Sequence, residues 1–250
     1  MKKKTKILIT GSAGFVGTNL IQQISKNKKY KITATYNKKK PIKIKNIIYK
    51  KINLLDKKKV DRLTKKQEIV IHLAGKLGTK KILKKSHFDI MKQNFNISVN
   101  IANSAYKNKI NKFIWLSSTT GYPDKNFLNE NLFFTDECLK DYEPIGLHCR
   151  FFEKLLKYYN RISNKKFRVI ILRPSTIFGE FDDFNPSTAH FLPSAISDIM
   201  NNRTIYLYNN GKIKRDWLYI NDLVRIMINL VSRKDINSYE VFNIGSNQRI

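Results

Sequence analysis

Three glycines, Gly11, Gly14 and Gly17, stand at steps of three behind the apolar run Ile7 to Ile9 and ahead of the stripe Phe15, Val16, Leu20, Ile21 and Ile24. A buried strand, a glycine turn and a helix N-terminus together make an anion site. The first N–H groups of a helix have no partner within it, and the helix dipole favours negative charge there. Gly11 allows the tight turn, Gly14 the close approach of a phosphate, and Gly17 the close packing of helix on strand. With Ser12 and Ala13 inside the turn and Phe15 and Val16 opening the helix, the stretch predicts a cradle for a dinucleotide's pyrophosphate. The position two after Gly11 is Ala13, so the spacing departs from the commoner G-x-G-x-x-G. A second strand, Lys31 to Tyr36, runs into Asn37, Lys38, Lys39 and Lys40. A fold that takes NAD carries an acid there for the ribose hydroxyls. Three cations and no acid suit the 2′-phosphate of NADP instead, with NAD the other choice.

Positioning that turn needs a sheet, and the chain supplies alternating strands and helices. Ile47 to Ile52 reads as a third strand, and Asp56 as the N-cap of a helix from Lys57 to Thr64. Ile69 to Leu73 is a fourth strand, ending in small residues, Ala74 and Gly75, that suit a ligand passing close by. His72 reads as packed in that strand. Helix signals run from about Phe88 to Lys107 and from near Ile145 to Tyr159; Phe113 to Leu116 and Val169 to Leu172 are further strands. The alternation predicts an α/β fold, a Rossmann-type doubly wound parallel sheet. Residues 1–172 form its dinucleotide-binding domain, and 173–250 a small, shortened C-terminal lobe interleaved with the last strands.

Composition narrows the partners. The 250 residues include 48 Lys and Arg against 19 Asp and Glu, a net charge of +29. The lysines are spread along the whole chain among many Asn and Ile. They read as a compositional bias on a solvated surface, with no specific nucleic-acid stripe and with loose attraction to polyanions at low salt. No apolar run reaches the ~20 residues of a membrane span. Gly11 comes too early for a secretory signal. Cys138 and Cys149 do not have metal-ligand spacing, so no metal is expected, and a reduced, cytoplasmic protein is the default.

Several separate pieces resemble the extended short-chain dehydrogenase/reductase family of nucleotide-sugar epimerases, dehydratases and reductases. They are the Gly11/Gly14/Gly17 turn; Asn53-Leu54, where the family has Asp-Leu against the adenine; His72-Leu73-Ala74-Gly75; Asn94 and Asn100, six apart; Leu116-Ser117-Ser118 with Tyr122; Arg173-Pro174 with Phe178-Gly179; Arg215 to Leu223; and Phe242 to Gly245. The segment His72 to Gly78, with Tyr122-Pro123, Glu143-Pro144 and Asp183-Phe184 through His190 to Pro193, is most similar to the GDP-L-fucose synthase branch. The resemblance implies a nicotinamide cofactor touched by Gly11 to Gly17, Asn37, Lys38, Asn53, Leu54, Leu73, Ala74, Gly75, Asn94 and Arg173. It implies a nucleoside-diphosphate sugar met by Lys76, Asn185, His190 and Arg215. A guanidinium at Arg215 would fork onto the diphosphate, or make a surface salt bridge. Asn185 and His190 would touch the nucleotide, or cap and pack. Arg173 has equal claim to a structural role, and Trp217 reads as core. The family also implies a homodimer through the helices around Asn94 to Lys107 and Ile145 to Tyr159.

The family's reaction needs a tyrosine to exchange a proton with the sugar oxygen, and a lysine one helical turn later to lower the tyrosine pKa. Taking Glu153 as the family's acidic helix position puts Ile145 where the tyrosine belongs and Cys149 where the lysine belongs. Ser118 keeps its place, hydrogen-bonding the same sugar oxygen. Three readings stay open: a noncatalytic binding homologue; an enzyme with a relocated acid/base, for which Cys149, His148 and Arg150 are candidates beside Ser118; or a shortened gene product, since the family continues with a further helix past Gln248-Arg249-Ile250.

Overall fold

The computed structural model describes residues 3–76, 80–125, 127–185, 188–205 and 207–248; Leu77, Gly78, Arg249 and Ile250, named above, lie outside them. The elements run β1 (Thr5–Thr10), α1 (Phe15–Ile24), β2 (Tyr30–Tyr36), β3 (Ile47–Lys51), α2 (Lys57–Thr64), β4 (Ile69–His72), α3 (Lys80–Lys107), β5 (Lys112–Leu116), α4 (Glu143–Ile162), β6 (Arg168–Pro174), β7 (Thr176–Phe178), α5 (Phe191–Met200), β8 (Trp217–Tyr219), α6 (Ile220–Ser232) and β9 (Tyr239–Ile244).

Seven strands form one parallel sheet in the order β3-β2-β1-β4-β5-β6-β9. The central strands are covered on both faces, which is why they read as unbroken apolar runs. Their side chains alternate between two cores. Leu8, Val70, Phe113, Trp115, Val169 and Ile171 point to the face packed by α2, α3 and α4. Ile7, Ile9, Ile69, Ile71, Ile114, Ile170 and Leu172 point to the face packed by α1 and α6. Each such side chain, fully buried, is worth ~2 kcal/mol. β7 and β8 make a separate parallel pair.

Asp56 caps α2 as expected, its Oδ1 accepting from Lys59 N at 3.0 Å. Two helix starts differ from the sequence reading. α4 opens at Glu143, with Pro144 in its first turn, where proline's missing N–H costs nothing. α3 opens at Lys80 rather than near Phe88. α6 and the short β7 and β8 had no counterpart in the sequence reading.

Candidate functional site

Strand order reverses between β1 and β4, whose carboxyl ends therefore border a crevice. Gly11 leaves β1 at φ +75°, and a Cβ there would lie 2.7 Å from the Leu73 carbonyl oxygen. A Cβ on Gly17 would lie 2.1 Å from the Gly11 carbonyl oxygen, so α1 can sit this close to the turn only with glycine at 17. Gly14 is exposed and forms the N-cap of α1 with no side-chain cap and no acid in the first turn. Ser12 Oγ is buried without a hydrogen-bond partner. Bare helix-start N–H groups, an exposed glycine and an orphaned hydroxyl fit the pyrophosphate of a dinucleotide.

The neighbouring strand ends complete the rim. Ser12 N donates to Thr35 O at 2.9 Å, tying the turn to β2, beyond which Asn37 and Lys38 are exposed. Asn53 is exposed in a turn, its Oδ1 accepting from Leu55 N at 3.1 Å. Leu54 points away into the core, and Asn100 holds its carbonyl at 3.0 Å. Past β4, Leu73 and Ala74 are half-buried, and Gly75 and Lys76 exposed.

Asn94 is bonded to the same rim. Its amide accepts from Lys76 N at 2.8 Å and donates to Lys76 O at 2.9 Å, so it shapes the rim and keeps one lone pair and one N–H beyond those two bonds. Arg173 takes one of its two expected roles. It is 2% exposed and paired with Glu153 at 2.5 Å; it also donates to Tyr122 Oη at 2.8 Å and stacks on Phe133. Its guanidinium is spent inside the fold, in the structural role that was the other possibility.

Ser118 follows β5, half-buried, and its Oγ accepts from Thr120 N and Thr120 Oγ1 at 3.2 and 3.0 Å. Both lone pairs are used, which leaves its proton for an acceptor. Cys149 lies against Ser117 and the backbone of Ser118, at the end of β5. Two of the relocated acid/base candidates do not survive this geometry. Cys149 is 3% exposed, and burial pushes its thiol up to about 12. His148 is 7% exposed among Phe95, Trp115 and Phe152, and burial pushes its imidazole down to about 4. Ile145 is core. His72 is packed in β4 as expected, fully buried.

Of the residues assigned to the sugar nucleotide, Lys76 lies on the rim past β4, and Asn185, His190 and Arg215 lie in the segments that follow β7. Arg215 is exposed beside Asp216, whose carboxylate pins the loop after β9 by accepting from Ser246 N and Oγ and from Ser175 Oγ. His190 is exposed at the N-cap of α5, and Asn185 is exposed in the loop before it. The segment after β7 is fastened to α1 and β8: Asn19 Nδ2 donates to Glu180 O at 2.7 Å, and Tyr219 Oη to Glu180 Oε1 at 2.7 Å. A cavity of about 290 Å³ opens there among Phe178, Glu180, Asp182, Phe184, Pro193 and Tyr219. Sequence reasoning did not single out Glu180 or Asp182, which follow Phe178-Gly179, and held Tyr219 only as part of the stretch Arg215 to Leu223. A larger cavity, about 610 Å³, lies at the opposite edge of the sheet by Lys157 and Tyr239 and contains none of the assigned residues. Among the described residues no cluster of metal-binding side chains occurs, and no helix is long and apolar enough to cross a membrane. Trp217 is half-buried, its ring edge-on to Phe178.

Sheet order and glycine turn define a Rossmann-type α/β protein. Residues 7–245 match the pattern of the NAD dependent epimerase/dehydratase family, and the chain belongs to that family of nucleotide-sugar proteins. It is 26% identical over 227 residues to GDP-L-colitose synthase of Yersinia pseudotuberculosis, covering 87% of this chain and 69% of that protein. It is 23% identical over 237 residues to GDP-L-fucose synthase of Escherichia coli K12, covering 91% and 70%. Among solved structures, UDP-glucuronic acid 4-epimerase from Bacillus cereus, in complex with UDP-glucuronic acid and NAD, has the same fold at a TM-score of 0.85 and 22% identity, covering 98% of this chain and 79% of that one.

Proposed function

We infer that this chain holds a nicotinamide dinucleotide, NADP or NAD, across the carboxyl ends of β1, β2 and β4, and a nucleoside-diphosphate sugar between that rim and the second lobe. The chemistry it serves is hydride transfer at a sugar carbon, in the manner of GDP-L-fucose synthase and its epimerase relatives. The observation that carries the reading is the turn itself: Gly11 and Gly17 are where no Cβ fits, and Gly14 is exposed to solvent at an uncapped helix start. The dinucleotide, when bound, accepts and returns the hydride.

The chain's own groups bind and orient. Backbone N–H groups of residues 12–16 and the Ser12 hydroxyl receive the pyrophosphate. Lys38 offers charge to a 2′-phosphate, beside Asn37 and with Asn53 near the adenine. Lys76 and Arg215 meet the sugar diphosphate, with Asn185 and His190 at the nucleotide. Ser118 donates its free proton to the sugar oxygen. The molecule works as a homodimer. Two free cysteines accord with a reducing, cytoplasmic setting.

One observation favours a second reading, binding without turnover. Ile145 and Cys149 are both buried where the proton-transferring pair belongs, and nothing nearby among the described residues replaces them. The matched relatives weigh for the first reading. Absorbance at the nicotinamide band, with NADPH or NADH and GDP- or UDP-sugars, separates the two. Slow turnover is expected from the natural chain. The Ile145→Tyr, Cys149→Lys double variant is expected to run at least ~100-fold faster, the usual worth of a placed acid/base. Failure of both proteins to bind either dinucleotide by calorimetry would end the whole reading.

A further inference from the structure

Thr10, at the end of β1, holds the rim of β4 from beneath. Its Oγ1 accepts from Leu73 N at 3.2 Å and from Ala74 N at 3.3 Å. A hydroxyl has two lone pairs and one proton. With both lone pairs taken, the proton goes to the remaining neighbour, His72 Nδ1, 2.8 Å away. His72 is then bare at Nδ1 and carries its proton on Nε2, which faces Ser98 Oγ at 3.4 Å. Ser98 lies 2.9 Å from His148 Nε2. Accepting from His72, it donates to His148, whose own proton sits on Nδ1. The hydrogen bonds therefore run one way, from Thr10 through His72 and Ser98 to His148, and cross β1, β4, α3 and α4.

The chain is sealed. Thr10 and His72 are fully buried, Ser98 is 2% exposed and His148 7%. Around the rings stand Phe113 and Phe152 at His72, and Phe95, Trp115 and Phe152 at His148. No carboxylate appears among these contacts to favour an imidazolium, and burial holds both rings neutral. His148 is the residue before Cys149, on the helix whose usual tyrosine and lysine are replaced.

We propose that Ser98 and His148 are positioning residues: through this directed chain, α4 sets the Leu73–Ala74 edge against the glycine turn. The proposal rests on the reading that a dinucleotide lies along that edge, and it names groups that touch neither dinucleotide nor sugar. In a chain lacking the lysine that would reach the cofactor from α4, this is a route by which that helix still governs the cofactor rim.

Three measurements test it. Nitrogen-15 spectra of histidine-labelled protein at pH 7 are expected to show opposite tautomers, His72 protonated at Nε2 and His148 at Nδ1. Ser98→Ala is expected to speed amide exchange at Leu73 and Ala74 by about tenfold. It is also expected to weaken NADP or NAD binding by about tenfold, the scale seen when a supporting hydrogen bond behind a binding group is lost. Ser98→Thr keeps the hydroxyl and is expected to restore both. The same tautomer on both rings overturns the proposal, as does a Ser98→Ala variant with unchanged exchange and unchanged His72 spectrum. If tautomers and exchange behave as stated while the natural chain binds no dinucleotide, the directed chain stands and the function inferred above falls.

Discussion

Gly14 and Gly17 lie three residues apart, yet substitution acts on them through different physics. A methyl on Gly17 meets the Gly11 carbonyl at 2.1 Å, backbone against backbone, and neither side can yield without moving α1. Gly17→Ala is expected to lower both the urea midpoint and dinucleotide affinity. Gly14 is exposed, and a Cβ there has one near neighbour, the Gly11 carbonyl oxygen at 3.3 Å, which must give by a few tenths of an ångström rather than the far larger shift Gly17 would demand. An aspartate there complements the helix dipole and repels a pyrophosphate. Gly14→Asp is expected to leave the urea midpoint within ~0.5 kcal/mol of the natural protein and to abolish binding in the calorimeter. Equal loss of stability in the two variants would mean that the turn is not shaped for a ligand.

The buried histidines give a second residue-scale expectation. Burial holds His148 at about 4 and, with the nearby His148 charge as a smaller cause, His72 at about 3, against 6.5 when free. Between those values the unfolded chain binds protons that the folded chain refuses, so stability is full above pH 6.5 and falls as pH drops. Each ring contributes up to about 1.4 kcal/mol per pH unit, and His148 on the order of 3 kcal/mol by pH 4. Urea titrations from pH 7 to pH 4 should show the decline, and a shallower slope in His148→Gln. Flat stability over that range would contradict the sealed environment.

At the scale of elements, the strands with both faces covered were legible because burial forces Ile, Val and Phe into every position. The glycine turn was legible for the same reason: a steric demand leaves a mark on composition. The start of α3 was not, because Lys80, Lys81, Lys84 and Lys85 hide the single apolar pair Ile82-Leu83 from any periodic pattern. α6 was missed although its stripe of Leu223, Val224, Met227, Leu230 and Val231 is regular, because its first residues fall inside Arg215 to Leu223, which was taken whole as one piece of the resemblance. The two roles offered for Arg173 could not be separated because a sequence cannot say that a side chain's donors are already used. Lys112 shows the same limit. It looks like one more surface lysine, yet it is 6% exposed, and its Nζ donates to the carbonyls of Leu230, Val231 and Arg233 at 2.8, 3.0 and 2.7 Å. It closes the C-terminus of α6 onto the sheet, where carbonyls otherwise lack partners. Lys112→Met keeps the volume and strands those acceptors. The expected cost is ~2–4 kcal/mol in urea unfolding, against less than ~0.5 kcal/mol for Lys107→Met on the surface.

For the whole molecule, charge and shape pull in opposite directions, and salt distinguishes them. Leu147, Phe151, Tyr158 and Ile162 recur along one face of α4 at helical spacing, 40–47% exposed, and Phe88 of α3 is 59% exposed. Phe95 of α3 packs on Phe151 at 4.9 Å, so the two helices present one apolar strip. A second copy laid on the strip would bury it, which is the physical case for the homodimer inferred above. Each copy carries a net charge of +29, and two such bodies repel at low ionic strength. Screening shortens that repulsion to ~8 Å at 0.15 M salt while leaving the apolar contact intact. The dimer should therefore tighten as salt rises from about 0.05 to about 0.3 M, whereas loose binding to nucleic acid should disappear over the same range. Light scattering across the salt series reads the first trend, and retention on immobilised DNA the second. Phe151→Glu, which sets carboxylates against each other across the two-fold, should leave a monomer at every salt concentration. If the natural chain stays monomeric at high salt, the strip has another purpose; if retention on DNA persists there, the lysines form a site and are more than a bias.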